Sequence, residues 1–316
     1  MNIKILVCYH KKDFLFKNNV LVPIHCGRAV ATQKHKDGQI SDDDYRWLIS
    51  NMLGDDTGDN ISDLNREVNE MTAIYWAWKN YDKLGNPDYI GLCHYRRLFN
   101  FSGVKFYRHK NKIISGSGQN TKNISKYLKK SDFITRTPVY CNDLLLEIYN
   151  SMQDIIQLSE TNHPELYKSM QDLINTRKYY CTNMFIMSRA DFFKYCETVF
   201  PVMFKFLNNK NRGTLFLEHI QTRVGKQTLS NFDDGRFWLP RLTGFLMEYI
   251  TGFYLRHLME TKKHSELEIL NTEECVQCRT LIKQMFSVDN ETFDNNKYWV
   301  VYFMGLKIKI KRIHNA

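Results

Sequence analysis

The chain has 316 residues, 43% of them hydrophobic and 14% aromatic, with a formal net charge of +10. That length supports one large α/β domain or two closely packed ones, and the hydrophobic content excludes a disordered chain. The positive charge favours an anionic partner (a nucleic acid, a sugar nucleotide or the phosphate surface of a membrane) without choosing among them.

No apolar run approaches the roughly 20 residues that span a bilayer. Met1-Asn2-Ile3-Lys4-Ile5 opens directly into a strand pattern rather than a signal peptide, so the chain is expected in the cytoplasm. Cys8, Cys93, Cys181 and Cys196 lie in apolar segments as small core residues. Cys275 and Cys278 form the sole Cys-x-x-Cys, and without a second pair or nearby histidines they read as two reduced thiols rather than a zinc site.

Residues 3–8 are a nearly continuous apolar run, the pattern of a central parallel strand. His10, Lys11 and Lys12 follow at its carboxyl end, as a nucleotide site or as a solvated turn. Residues 27–62 are polar and read as loop-rich surface. Asp55, Asp56 and Asp59 crowd together as in a calcium loop, but Arg66 stands where an EF-hand has its twelfth-position glutamate. Carboxylates that bind sugar hydroxyls, or that close their own turn by Asx hydrogen bonds, fit better. From Ser62, a candidate N-cap, a helix is predicted through Asn80. Val68, Met71, Ile74, Tyr75 and Trp78 form its face toward the sheet. Asn65, Asn69, Thr72 and Trp76 lie on the other side, where Trp76 is either a platform for a sugar ring or interdomain packing.

Residues 88–99 predict a buried strand that ends abruptly in His94, Tyr95, Arg96 and Arg97. Ligands of α/β sheets sit at the carboxyl ends of strands, so two adjacent guanidiniums there read as an anion site, against the alternative of a basic turn. Residues 102–130, rich in Gly, Ser, Asn and Lys, read as a surface loop of the size that forms lids. Strands are predicted over 132–135 and 179–188, and helices over 144–159, 164–175 and 190–206. Asn183 is a lone amide in an apolar strand; it must find a donor sugar, an acceptor or neighbouring backbone. Residues 236–257 predict a buried helix in which Glu248 is either paired, with Arg241 or Arg256, or serves as general base or hydroxyl ligand. The pattern is lost after Leu258. From Tyr298, aromatics lead into Lys307, Lys309, Lys311 and Arg312, a membrane-surface segment or a basic edge strand.

Three blocks in this order carry a resemblance: Asp55-Asp56-Thr57-Gly58-Asp59-Asn60-Ile61-Ser62, the segment ending Tyr75-Trp76-Ala77-Trp78-Lys79-Asn80, and Gly91-Leu92-Cys93-His94-Tyr95-Arg96-Arg97. Together they resemble the DUF4422 family of bacterial capsular and exopolysaccharide glycosyltransferases. Tyr9-His10-Lys11, Val22-Pro23-Ile24 with Gly27, Asn183-Met184-Phe185, and the stretch from Arg241 to Glu248 extend the likeness to about residue 258. Tyr249 stands where the family usually has Arg, so a donor contact made by that Arg is not carried over.

The resemblance implies a GT-A-like, Rossmann-related α/β sandwich with a central mostly parallel sheet flanked by helices over residues 1–258, and a C-terminal extension over 259–316. It implies transfer of a hexosyl group, galactofuranosyl or galactopyranosyl, from a UDP-sugar to a lipid-linked polysaccharide of capsule, O-antigen or exopolysaccharide type. The place would be the cytoplasmic face of the inner membrane, with peripheral membrane contact and no nucleic acid. GT-A enzymes usually hold a metal at an Asp-x-Asp, and His94-Tyr95-Arg96-Arg97 takes that place here. Arg96 and Arg97 are therefore expected to neutralise the departing diphosphate with no cofactor required. The alternative keeps Mn or Mg on Asp55, Asp56 and His94. Donor binding falls to His10, Lys11, Asp56, Asn60 and His94, and sugar or acceptor binding to Asn65, Trp76, Asn183 and Arg241. Catalysis falls to Arg96, Arg97 and Glu248. The rivals are a non-catalytic glycan-binding protein and a basic nucleic-acid-binding protein, although the sequence holds no recognised nucleic-acid motif.

Overall fold

The computed structural model describes residues 1–33, 40–101, 108–109, 112–113, 118–140, 163–209, 238–272, 286–293, 296–303 and 306–311. The expected Cys275 and Cys278 thiols, the 144–159 helix and Arg312 fall outside these residues.

The chain opens with β1 (Ile3–Tyr9), then β2 (Leu21–His25), α1 (Asp42–Asn51) and β3 (Leu53–Gly54). Next come α2 (Asn65–Val68), α3 (Met71–Lys79), β4 (Tyr89–His94) and β5 (Arg97–Phe99). The two-residue strands β6 (Arg108–His109) and β7 (Lys112–Ile113) precede α4 (Thr121–Leu128), β8 (Phe133–Arg136) and β9 (Val139–Tyr140). After α5 (Pro164–Thr176) and β10 (Lys178–Tyr179) follow β11 (Phe185–Ser188), α6 (Arg189–Asn208) and α7 (Trp238–Thr261). Two strands, β12 (His264–Leu267) and β13 (Ile269–Asn271), precede a meander of β14 (Phe286–Phe293), β15 (Asn296–Phe303) and β16 (Leu306–Lys311).

Nine strands among the described residues join one sheet, ordered β12-β8-β11-β4-β1-β2-β3, with β5 beside β4 and β13 beside β5. β4, β1, β2 and β3 run parallel, as do β12 and β8. β11 runs antiparallel to both its neighbours. This is the expected α/β class, a mixed and mostly parallel sheet between helices. Alternation along β1 builds two cores. Ile3, Ile5, Val7 and Tyr9 pack with Leu48 of α1 and Ile124 of α4, while Leu6 and Cys8 pack beneath α3, α5, α6 and α7. β1 is apolar on both faces because both are covered.

Several expected elements take a different form. The predicted helix from Ser62 to Asn80 is broken: Asn69 adopts φ 54, ψ −138, which ends α2 before α3 starts. Ser62 is not an N-cap; it is buried, and its hydroxyl donates to Asp55 and accepts from the Ala29 amide. Residues 27–62 hold α1, whose N-cap Ser41 accepts from the Asp44 amide. The strand predicted at 88–99 ends at His94 as expected, and the residues that follow form a tight turn at Tyr95 and Arg96 into a further strand, in which Arg97 pairs back with His94. The predicted strand 179–188 is interrupted by Thr182 (φ 74) and Asn183 (φ 49). The expected boundary at residue 258 falls within α7, and β12 and β13 beyond it belong to the main sheet. The tail takes the form of the basic edge strand: among the described residues β16 pairs with β15 alone, in a register that sets Lys307, Lys309 and Lys311 against Tyr302, Val300 and Tyr298.

Candidate functional site

The strand directions bring one set of loops to a single sheet edge. β1, β2, β3, β4 and β8 all end there, and β11 starts there. The edge therefore receives His10, His25 with Gly27, Asp55 and Asp56, the Tyr95–Arg96 turn, Arg136, and Thr182 with Asn183. Ligands of open α/β sheets sit at this edge because the loops leave it in different directions.

Two side chains fix the turn that carries the arginines. Tyr95 is buried and stacks on Tyr9, with ring centroids 5.1 Å apart, and its hydroxyl lies 3.4 Å from His10 Nε2. Thr272, just past β13, donates its amide to the Arg96 carbonyl at 2.8 Å and its hydroxyl to the Tyr95 carbonyl at 3.3 Å. The Arg96 guanidinium lies over the Tyr95 ring, 5.2 Å from its centroid.

His10 reports the local field. Its side chain is exposed at the end of β1, and desolvation by the groups around it lowers its pKa to about 4. Arg96, Lys11, Arg241 and His94 act in the same direction, so four cationic or potentially cationic groups converge on His10, which is neutral at pH 7. His25, buried at the end of β2, is likewise lowered to about 3 by desolvation, Arg28 and His10. Its Nδ1 accepts from Arg28 Nε at 3.4 Å, and its Nε2 has no partner among the described residues.

A second group surrounds two carboxylates, Glu70 and Glu248. Glu70 sits at the α2–α3 break, where its Oε1 accepts from Asn183 Nδ2 at 2.8 Å and lies 3.9 Å from His94 Nε2. His94 Nε2 donates to the Thr182 carbonyl at 2.8 Å, which fixes the proton on that nitrogen, since a carbonyl only accepts. Glu248, on α7, accepts from the Thr182 amide at 3.0 Å. Desolvation, then the negative charge of Glu70, pushes its pKa up to about 7 against the pull of the Thr182 amide, Arg97 and Arg241. The paired reading of Glu248 takes an unexpected form. Arg256 instead pairs with Asp172 at 3.1 Å, and Arg241 grips Asn69 Oδ1 through Nε and Nη2 at 2.9 and 2.8 Å. Arg136 borders this group, donating to Cys181 Sγ at 3.1 Å and Thr182 Oγ1 at 3.4 Å.

Backbone strain concentrates here. Five non-glycine residues among those described have positive φ, and Asn69, Thr182 and Asn183 are three of them. Each such residue costs on the order of 1–3 kcal/mol, and strain of this kind gathers at ligand sites. Gly244 lets α7 approach the break: a Cβ there would lie 2.2 Å from Asn69 Nδ2.

The other sequence candidates divide. His10, Lys11, His94, Arg96, Arg97, Asn183, Arg241 and Glu248 gather around the two groups just described. Trp76 does not: it is 1% exposed, with its indole N–H on Thr57 Oγ1 at 3.0 Å, so its ring cannot face a sugar. Asn65 directs its amide to the Asn69 carbonyl at 2.7 Å and Thr72 Oγ1 at 3.1 Å, bracing the break. Asn60 closes its own turn, donating to the Gly58 carbonyl and accepting from the Ser62 amide. Asp55 is fully buried and accepts from the Gly27 and Arg28 amides and from Ser62; burial raises its pKa while these bonds oppose the rise. The alternative metal set of Asp55, Asp56 and His94 is thus not assembled, and among the described residues no three His, Cys, Asp or Glu side chains are grouped to hold an ion. Asp56 stays at the edge, with a buried Oδ1 that has no partner among the described residues. Tyr249 stacks on Tyr179 at 4.8 Å rather than entering the site. Glu70 and Arg136 escaped the sequence reading. Glu70 stands beside the polar Asn69 within an apolar helical pattern, and Arg136 ends an apolar strand; those were the available signals.

Fold and site together define an α/β protein that gathers cationic side chains and two carboxylates at the carboxyl edge of its sheet. The chain belongs to the family described as Domain of unknown function (DUF4422), whose family model matches residues 4–263. Among solved structures it is similar to the apo structure of WbbM, a bifunctional glycosyltransferase, with a TM-score of 0.57 and 21% sequence identity over 86% of this chain and 45% of that one. The chain thus spans under half the length of that protein, and at this identity the likeness concerns the fold. No curated protein matches the chain. Among the described residues no helix is long and apolar enough to cross a membrane.

Proposed function

We propose that this chain is a glycosyltransferase that moves a hexosyl group, galactofuranosyl or galactopyranosyl, from a UDP-sugar to a lipid-linked surface polysaccharide at the cytoplasmic face of the inner membrane. The observation that carries this reading is the convergence of Lys11, Arg96 and Arg241 on His10 at the carboxyl edge, with Arg97 one residue along. Breaking the bond between a sugar and a diphosphate leaves negative charge on the diphosphate, and preorganised guanidiniums stabilise it in the transition state. Neutral His10 and half-buried Asp56 supply hydrogen-bonding groups for the rest of the donor. No divalent ion is required in this reading, because the cations replace it. Family membership and the fold shared with WbbM support the class of reaction.

The test is incubation of the full chain with a panel of UDP-sugars and a lipid-linked acceptor extract, read by mass spectrometry. A product one hexose heavier, with matching UDP release, is expected. Oligosaccharide binding without UDP release from any donor would instead establish the non-catalytic glycan-binding protein.

A further inference from the structure

Glu70 and Glu248 come from different elements, and two adjacent residues with positive φ, Thr182 and Asn183, hold both. Thr182 donates its amide to Glu248 Oε2 at 3.0 Å, and the next residue, Asn183, donates its side-chain amide to Glu70 Oε1 at 2.8 Å. Asn183 is 1% exposed, and its Oδ1 has no partner among the described residues. A buried amide oxygen left without a donor is costly, and its amide group is directed at Glu70, beside the carboxylates. The groups acting on Glu248 are Glu70 at the α2–α3 break, Arg97 on β5, and Arg241 on its own helix; Cys181, within the strained segment, also feels it. His94, on β4, faces Glu70. Lys11 and Arg96 act on His10 beside the β4–β5 turn, while Arg97 and Arg241 act on Glu248, so cations suited to a diphosphate stand next to carboxylates suited to a hydroxyl.

Resting on the glycosyltransferase reading above, we propose that Glu248 is the base that takes the acceptor hydroxyl proton and that Glu70, clamped by Asn183, is a positioning residue that holds Glu248 ready to accept it. In the step, the acceptor oxygen bonds to the anomeric carbon of the donor. The bond from that carbon to the diphosphate oxygen breaks, its electron pair leaves on the diphosphate, and the hydroxyl proton passes to the Glu248 carboxylate. Without the negative charge of Glu70, Glu248 would be a weaker base at the pH where it works.

The experiment compares wild type, Glu248→Gln and Glu70→Gln in two readouts. The first is the pH profile of kcat/KM for UDP release with whichever UDP-sugar is turned over. The second is the carboxyl carbon NMR titration of the full chain carrying labelled glutamate, which needs no substrate. UDP affinity by calorimetry shows that each variant keeps its donor cleft. In wild type, one glutamate is expected to titrate near the pH of the ascending limb of the rate profile. Glu248→Gln should remove that resonance and slow turnover about 100-fold or more while still binding UDP. Glu70→Gln should move both the resonance and the limb toward acid by about one pH unit. The proposal is overturned if Glu248→Gln turns over normally, or if Glu70→Gln leaves both profiles in place. Failure of wild type to bind UDP would sink the glycosyltransferase reading instead. If wild type binds UDP and no donor is turned over, the resonance alone decides whether the pair exists, and its absence overturns the proposal.

Discussion

Asn69 sits at φ 54 and ψ −138, a backbone state that costs an asparagine but not a glycine, and its side chain is gripped twice by Arg241. Those two facts separate stability from activity at one position. Asn69→Gly relieves the strain and should leave the melting temperature equal or higher, whereas loss of the Arg241 anchor should slow turnover by roughly tenfold or more. Thermal melts beside UDP-release rates check this, and a parallel fall in both would show the grip to be merely structural. Glu248 makes a separate prediction. Its folded pKa is raised from 4.5 to about 7, so the chain takes up a proton there on folding. The stability it contributes is complete below about pH 4.5 and is lost as pH rises through about 7. Glu248→Gln cannot ionise, so urea unfolding at pH 5 and pH 8 should show the variant gaining on wild type at the higher pH. His25 works in the opposite sense: its pKa is lowered from 6.5 to about 3, so its contribution is present above about 6.5 and is lost as the solution is acidified toward 3.

At the scale of elements, α7 depends on Gly244 to reach the α2–α3 break. Gly244→Ala places a methyl 2.2 Å from Asn69 Nδ2, so the side chain must move. The expected cost is about 1–3 kcal/mol of stability, as for other overpacked contacts, with a matching loss of turnover. Calorimetric melts measure the first and the UDP-release rate the second. The parallel strands were legible in the sequence because β1 and β4 are continuous apolar runs, which only a doubly covered strand needs. So were the arginines, because Arg96 and Arg97 follow such a run. The break at Asn69 was not legible: Val68, Met71, Ile74 and Trp78 keep helical spacing across it, and the side chain that grips Asn69 at the break, Arg241, lies some 170 residues away. The kink at Thr182 and Asn183 was hidden by the apolar run around it; Asn183 is a residue type that tolerates positive φ, and the contacts that hold the kink, to Glu248, His94 and Glu70, are remote in sequence. Trp76 was misplaced because a polar neighbourhood on a helical wheel does not show that Thr57 folds over the indole.

At the scale of the whole molecule, the C-terminal meander adds a strand in which lysine and isoleucine alternate, with Lys307, Lys309 and Lys311 at every second position. A lipid-linked acceptor is confined to a membrane plane, and each basic residue near anionic lipid is worth on the order of 1 kcal/mol. Charge reversal at these three lysines and Arg312 should weaken sedimentation with anionic liposomes and slow transfer to a lipid-linked acceptor, while transfer to a short soluble acceptor holds. Equal loss with both acceptors would assign the meander to the folded core alone. Charge compensation by arginine is the central claim of the proposed donor chemistry. It is tested most directly by mass-spectrometric transfer from the UDP-sugar panel to the lipid-linked extract in excess EDTA, with wild type beside the Arg96→Ala, Arg97→Ala double variant. Wild type should form product undiminished by the chelator, and the double variant should lose roughly 10²–10³-fold in rate at an unchanged melting temperature. Product formation that stops in EDTA and returns with manganese, or a double variant as fast as wild type, would contradict it.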